Sequence, residues 1–172
     1  MEIPDFLQTQ IREGKVVLFL GAGASMTARN SEGKAPPNST QLGKLLAARF
    51  LGGKYADHPL QQIAEYAISE SSLGDVQVFI RNLLEPFLQS RAHDLISTFA
   101  WHGLATTNYD RLLEKAYESN PGRVQDLRVL IDNTDRVEEN LRGLSNVLLL
   151  KLHGCVTRTT NPQCPFILTT EQ

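Results

Sequence analysis

The chain has 172 residues, 41% hydrophobic and 21% charged, which is enough to bury one sizeable core and excludes a disordered chain. Seventeen Lys and Arg against nineteen Asp and Glu give a formal charge of −2 without any basic run, so composition offers no support for direct binding of nucleic acid or an anionic membrane. No apolar run is long enough to span a bilayer, and Met1-Glu2-Ile3-Pro4-Asp5 lacks the pattern of a signal peptide, so the expected location is cytoplasmic.

Pro4 to about Arg12 predicts a short opening helix, with Phe6, Leu7 and Ile11 at helical spacing and Gly14 ending it. Val16-Val17-Leu18-Phe19-Leu20 then reads as a strand buried on both faces, running into Gly21-Ala22-Gly23-Ala24-Ser25, a tight turn that opens a helix. Two glycines let a backbone approach a pyrophosphate, and Ser25 adds a hydroxyl. Met26 stands where the dinucleotide fingerprint wants a small residue, and no Gly-Lys-Ser/Thr follows, so neither the dehydrogenase fingerprint nor an ATP-binding P-loop is complete. A plain glycine turn ending a strand stays open on this stretch alone.

Thr27 to Thr40, with Gly33 and Pro36-Pro37, predicts a fourteen-residue loop, either a flap over a site or an ordinary surface loop. Three amphipathic segments follow: one capped by Ser39 or Thr40 through Leu51, with Leu42, Leu45, Leu46 and Phe50 on its apolar face; then Pro59 to Ser69; then Asp75 to Gln89. With a short helix from His93 to Phe99, they suggest a helical insertion over about residues 40–99.

Gly103 to Thr107 reads as a second buried strand leading to Asn108-Tyr109-Asp110, followed by a helix from Arg111 to Glu118. Leu127 to Ile131 is a third strand, Asp132 to Leu141 one or two helical turns, and Asn146 to Leu150 a fourth strand ending in Lys151-Leu152-His153-Gly154. Phe166 to Thr169 starts a further element. Cys155 and Cys164 have no Cys-x-x-Cys partners, so they read as free thiols and not as zinc ligands, with nothing to activate Cys155 as a nucleophile. This order predicts one α/β domain, Rossmann-like, with a largely parallel sheet and helices on both faces. Ligands of such sheets sit beyond the carboxyl ends of the strands, which is where Gly21–Ser25, Asn108–Asp110 and His153-Gly154 all fall.

Together, Gly21-Ala22-Gly23-Ala24-Ser25, Thr106-Thr107-Asn108-Tyr109-Asp110 and Lys151-Leu152-His153-Gly154 resemble the NAD-binding motifs of the sirtuin superfamily. With Leu112-Leu113-Glu114 following, the wording looks most like the divergent sirtuin-like domains of bacterial antiviral defence proteins. The deacylase segment Gly-Ile-Pro-Asp-Phe-Arg is replaced here by Lys-Ala-Pro-Pro-Asn-Ser-Thr at Lys34 to Thr40, and a four-cysteine zinc module is absent, so the resemblance implies NAD+ hydrolysis to nicotinamide and ADP-ribose over acyl-lysine chemistry, without a metal. It also implies a fold that continues past Gln172, hence an incomplete one here, and regulation through a homo-oligomer or a partner defence subunit.

By the same resemblance, Asn108 binds the ribose and holds a water, His153 is the general base or orients the ribose hydroxyls, Asp110 holds the carboxamide, and Gly21, Ala22, Gly23, Ser25 and Thr107 complete the NAD+ site. The residues by themselves leave simpler roles open: Asn108 as a helix cap, Asp110 as an acidic residue in a first helical turn, His153 as structural and Tyr109 as core. His93 reads as structural, near the cleft. A non-catalytic sensor of NAD+ or ADP-ribose is the alternative function.

Overall fold

The computed structural model describes residues 3–131, 145–159 and 168. The turns expected over Asp132–Leu141, Cys164, and all of the Phe166–Thr169 element except Leu168 lie outside the described residues. Helix α1 (Asp5–Arg12) starts behind Pro4 and ends at Gly14, whose φ of +66° is left-handed. Strand β1 (Val17–Leu20) leads into a 3-10 helix (Ala22–Thr27), and four helices follow: α2 (Ser39–Phe50), α3 (Leu60–Glu70), α4 (Leu73–Leu84) and α5 (Arg91–Ser97). The second half alternates as β2 (Gly103–Thr106), α6 (Leu112–Ser119), β3 (Asp126–Leu130), β4 (Asn146–Lys151) and a short 3-10 helix (Val156–Arg158).

The four strands form one parallel sheet in the order β1-β2-β4-β3, an α/β Rossmann-like arrangement. Its register aligns Leu18 with Leu104, Leu104 with Leu149 and Leu149 with Val129. Because side chains alternate along a strand, this row faces one side. There it packs with Ile11 of α1, Ile96 of α5, Leu113 and Tyr117 of α6, and Trp101. The row Phe19, Ala105, Leu150 and Leu130 faces the other way, where Phe19 is 60% exposed and Leu150 41%.

The expectation for β1 is therefore corrected. It is an edge strand of the described sheet, and Val17 and Phe19 are exposed instead of buried. An unbroken apolar run is equally compatible with a half-exposed edge, and local sequence cannot tell them apart.

Helices α2, α3 and α4 have their own core of Leu42, Leu46, Ile63, Val76 and Ile80, which meets the carboxyl end of the sheet through Tyr109, Ile131, Cys155 and Val156. Local chemistry sets the helix starts. Asn38, not Ser39 or Thr40, caps α2: Asn38 Oδ1 accepts from Gln41 N and Asn38 N donates to Gln41 Oε1, both over 2.9 Å. Leu45 is exposed, and Gly43 takes its place in the packed face against Ile63. The loop from Thr27 to Thr40 is tied internally, with Asn30 Oδ1 accepting from Glu32 N and Lys34 N and a bridge between Arg29 and Leu88. No described helix is long and apolar enough to cross a membrane.

Candidate functional site

The register sets Leu20, Thr106 and Lys151 side by side at the carboxyl ends of β1, β2 and β4. The three loops leaving these residues are stitched together. Thr106 Oγ1 and Thr107 N donate to the Leu20 carbonyl at 2.9 and 3.3 Å, Leu152 N to Thr106 O at 2.9 Å, and Val156 N to Tyr109 O at 3.0 Å. Parallel pairing thus converts motifs far apart in sequence into neighbours.

The glycine motif takes a different local form from the one expected. Gly21 is extended, at φ −110° and ψ −171°, and residues Ala22–Thr27 make a 3-10 helix. Neither Gly21 nor Gly23 has a left-handed φ, and a Cβ built on either meets no atom within 4 Å. The fold itself places no demand for glycine at these two positions. The surface above them is open to close approach by a ligand.

Asn108 closes one side of this loop. Its Nδ2 donates to the Gly21 carbonyl and to Ser25 Oγ, each at 3.0 Å, and its own backbone N–H donates to Thr106 Oγ1 at 3.0 Å. Ser25 is 7% exposed, and its hydroxyl donates to Asp110 Oδ2 at 2.7 Å, so its proton direction is fixed by an acceptor on one side and a donor on the other. Asp110 Oδ1 accepts from Leu112 N at 3.0 Å, tying off the first N–H of α6 from one residue before its N-cap, Arg111. Asp110 thus combines the helix-start role with a place in the polar set, whereas Asn108 is turned to the glycine loop and caps no helix.

His153 lies half-buried in the turn after β4, which Gly154 N closes onto Lys151 O at 3.2 Å and which needs a left-handed φ of +83° at Gly154. Its ring centroid is 6.4 Å from that of Tyr109, with the planes 36° apart. Tyr109 also packs against the α2–α4 core, and burial pushes its hydroxyl up to about 12, which makes it a wall and not a proton carrier near neutrality. Among the described residues His153 has no hydrogen bond to Asn108, Ser25 or Asp110. Thr107 joins the site through its backbone, and Ala22 is exposed on the loop.

The structure adds three residues that sequence reasoning left outside the site. His93, only 2% exposed, lines a small pocket together with Leu20, Ala24, Thr106, Asn108, Asp110, Glu114 and Lys151. Its Nδ1 faces Ser90 Oγ at 2.9 Å, and Ser90 Oγ meets Thr27 Oγ1 at 2.7 Å. Burial holds its pKa below the ordinary value, partly opposed by Asp110 and Asp94. Glu114 and Lys151 complete the inner wall as a buried ion pair at 3.0 Å. Glu114 and Lys151 stand inside the stretches that carry the resemblance but take no role from it, and His93 reads as structural from sequence alone.

Two larger cavities, about 440 and 450 Å3, lie between α6 and β3, where Glu114 and Cys155 also line the space, and between α4 and α6. The cavity behind Asn108 is about 10 Å3, no more than a water's space. The side chains fit NAD+ chemically: glycine backbone open to a pyrophosphate, and an amide, a hydroxyl and a carboxylate for ribose and carboxamide. A ligand entering here would exchange some of the internal bonds among Ser25, Asn108 and Asp110 for its own. Cys155 is a buried free thiol, and no group of three or more metal-ligating side chains occurs among the described residues.

Residues 102–172 match the family model described as the SIR2-like domain, a segment that holds two of the three motifs, Thr106–Asp110 and Lys151–Gly154. The match and the parallel sheet that brings Gly21–Ser25 to the same edge are together consistent with a SIR2-like fold. Domains of this family use NAD+, which points to an NAD-related function. A search of the curated proteins finds no match.

Proposed function

We propose that the chain is an NAD+ glycohydrolase, releasing nicotinamide and ADP-ribose. The observation that carries this reading is the convergence on Ser25: Asn108 from the end of β2 and Asp110 beyond it both bond the hydroxyl of the loop that follows β1, beneath two glycines left open for a pyrophosphate. Cleaving the nicotinamide–ribose bond builds an oxocarbenium-like cation, so the site must orient the ribose and deliver a water to the anomeric carbon. Asn108 supplies an amide that donates and accepts without charge, suited to holding ribose and water. His153 takes the proton or orients the ribose hydroxyls, Asp110 holds the carboxamide, and Gly21, Ala22, Gly23, Ser25 and Thr107 hold the rest of the dinucleotide.

The resemblance to defence proteins supports a role in antiphage defence by NAD+ depletion in a bacterial cytoplasm, with activity held in check through self-association or a partner subunit. The experiment is nicotinamide release from NAD+ by the wild-type chain and by Asn108→Ala and His153→Ala. A loss on the order of a hundredfold in both is expected, the scale of removing one positioned polar group. Wild-type turnover in both variants overturns the residue assignment. A second reading, a sensor that binds without cleaving, is favoured by the internally satisfied Ser25–Asn108–Asp110 set and the very small cavity behind it. NAD+ or ADP-ribose binding by calorimetry with no nicotinamide released selects it.

A further inference from the structure

Lys151, the last residue of β4, has a side chain only 1% exposed. A buried ammonium is costly unless it is paired and hydrogen-bonded. Two acceptors face it: Glu114 Oε1 at 3.0 Å and the backbone carbonyl oxygen of Asp110. Glu114, on the first turn of α6, also faces Cys155 Sγ at 3.9 Å. The contacts thus join four segments at the inner wall of the site: β4 where it enters the His153 turn, the loop carrying Asn108 and Asp110, the first turn of α6, and the chain leaving Gly154.

Stability alone is a poor reason for this arrangement, since apolar side chains of similar volume commonly replace a buried ion pair at no net loss. What apolar packing lacks is direction. A charge-assisted bond from the end of one strand to the carbonyl of Asp110 fixes how far the Asn108 loop stands from the His153 turn.

We propose that Lys151, held by Glu114, is a positioning residue that sets the spacing between Asn108–Asp110 and His153; this rests on the NAD+-cleaving reading above. Among the described residues the ammonium's hydrogen bonds go to Glu114 and the Asp110 carbonyl and none to the glycine loop, so its effect is on the geometry of reaction more than on ligand affinity.

The test compares the wild-type chain with Lys151→Met and with the double variant Lys151→Met/Glu114→Leu, which removes both charges at similar volume and stays informative if the single variant does not fold. Nicotinamide release gives kcat and KM, and amide hydrogen exchange reads residues 106–112 and 151–155. In the folded variants kcat falls roughly a hundredfold, the scale of an ångström-sized misplacement, while KM stays within about threefold. Exchange in the two loops rises about tenfold or more without a matching rise in β1 or α2. A folded double variant with wild-type kcat and unchanged exchange overturns the proposal, because packing alone would then suffice. If the wild-type chain releases no nicotinamide, the NAD+-cleaving reading has failed by itself, and the exchange measurement still decides whether the pair sets the loop spacing.

Discussion

Ser25 Oγ donates to Asp110 Oδ2 over 2.7 Å, joining the loop after β1 to the loop after β2 across eighty-five positions of sequence. The same oxygen accepts from Asn108 Nδ2. One buried hydroxyl therefore sets the direction of both side chains, and Ser25→Ala would leave an Asp110 oxygen and an Asn108 N–H without their partner. The expected cost is about 1–2 kcal/mol in denaturant unfolding, typical of a broken buried hydrogen bond. Nicotinamide release should fall by about tenfold or more as Asn108 loses its orientation. Unchanged turnover would show that Asn108 is held by Gly21 alone.

Gly23 separates a ligand cradle from a plain turn. Its φ is not left-handed and a Cβ there meets nothing within 4 Å, so Gly23→Ala should fold with stability unchanged within about 0.5 kcal/mol. The new methyl stands where a pyrophosphate would approach, and NAD+ affinity should drop by about tenfold or more in a calorimetric titration. Full affinity would mean that the open surface above Gly23 is not used.

Gly154 makes the opposite prediction. At φ +83° the fold itself requires glycine, and Gly154→Ala should cost about 1–2 kcal/mol of stability by thermal or urea unfolding. Because Gly154 closes the turn that carries His153, turnover should fall as well. A stable, fully active variant would argue that the turn relaxes without moving the imidazole.

His93 gives the site a pH signature. Burial lowers its pKa below the ordinary 6.5, outweighing the opposite pull of Asp110 and Asp94. At pH above 6.5 the folded and unfolded chains both hold it neutral, and no penalty arises. As pH falls through 6.5 the unfolded chain binds a proton that the folded chain refuses, so stability is lost over the interval down to the folded-state pKa. Urea midpoints measured at about pH 7.5 and about pH 5.5 should fall more for the wild type than for His93→Gln. Equal losses would show that His93 titrates normally.

Local sequence was sufficient for the elements that carry the site. Val16–Leu20, Gly103–Thr107 and Asn146–Leu150 are short apolar runs cut off by glycine or polar residues, and each ends where a strand ends in the fold within a residue. The motifs at those ends were equally visible, because a turn's chemistry is written in its own few residues. Helix starts were less so: Asn38 took the cap expected of Ser39 or Thr40, a choice settled by which side chain reaches the free N–H groups.

Length, composition and the three motifs by themselves determined an α/β chain whose polar residues gather at the carboxyl ends of its strands. Only the tertiary structure decided that β1 lies at the edge of the described sheet, that Phe19 faces out, and that His93, Glu114 and Lys151 back the Asn108 loop. The reason is physical. Parallel strands pair across long crossovers, so neither their order nor the neighbours of a buried charge leave a periodic mark in the chain, and both appear only when distant segments meet.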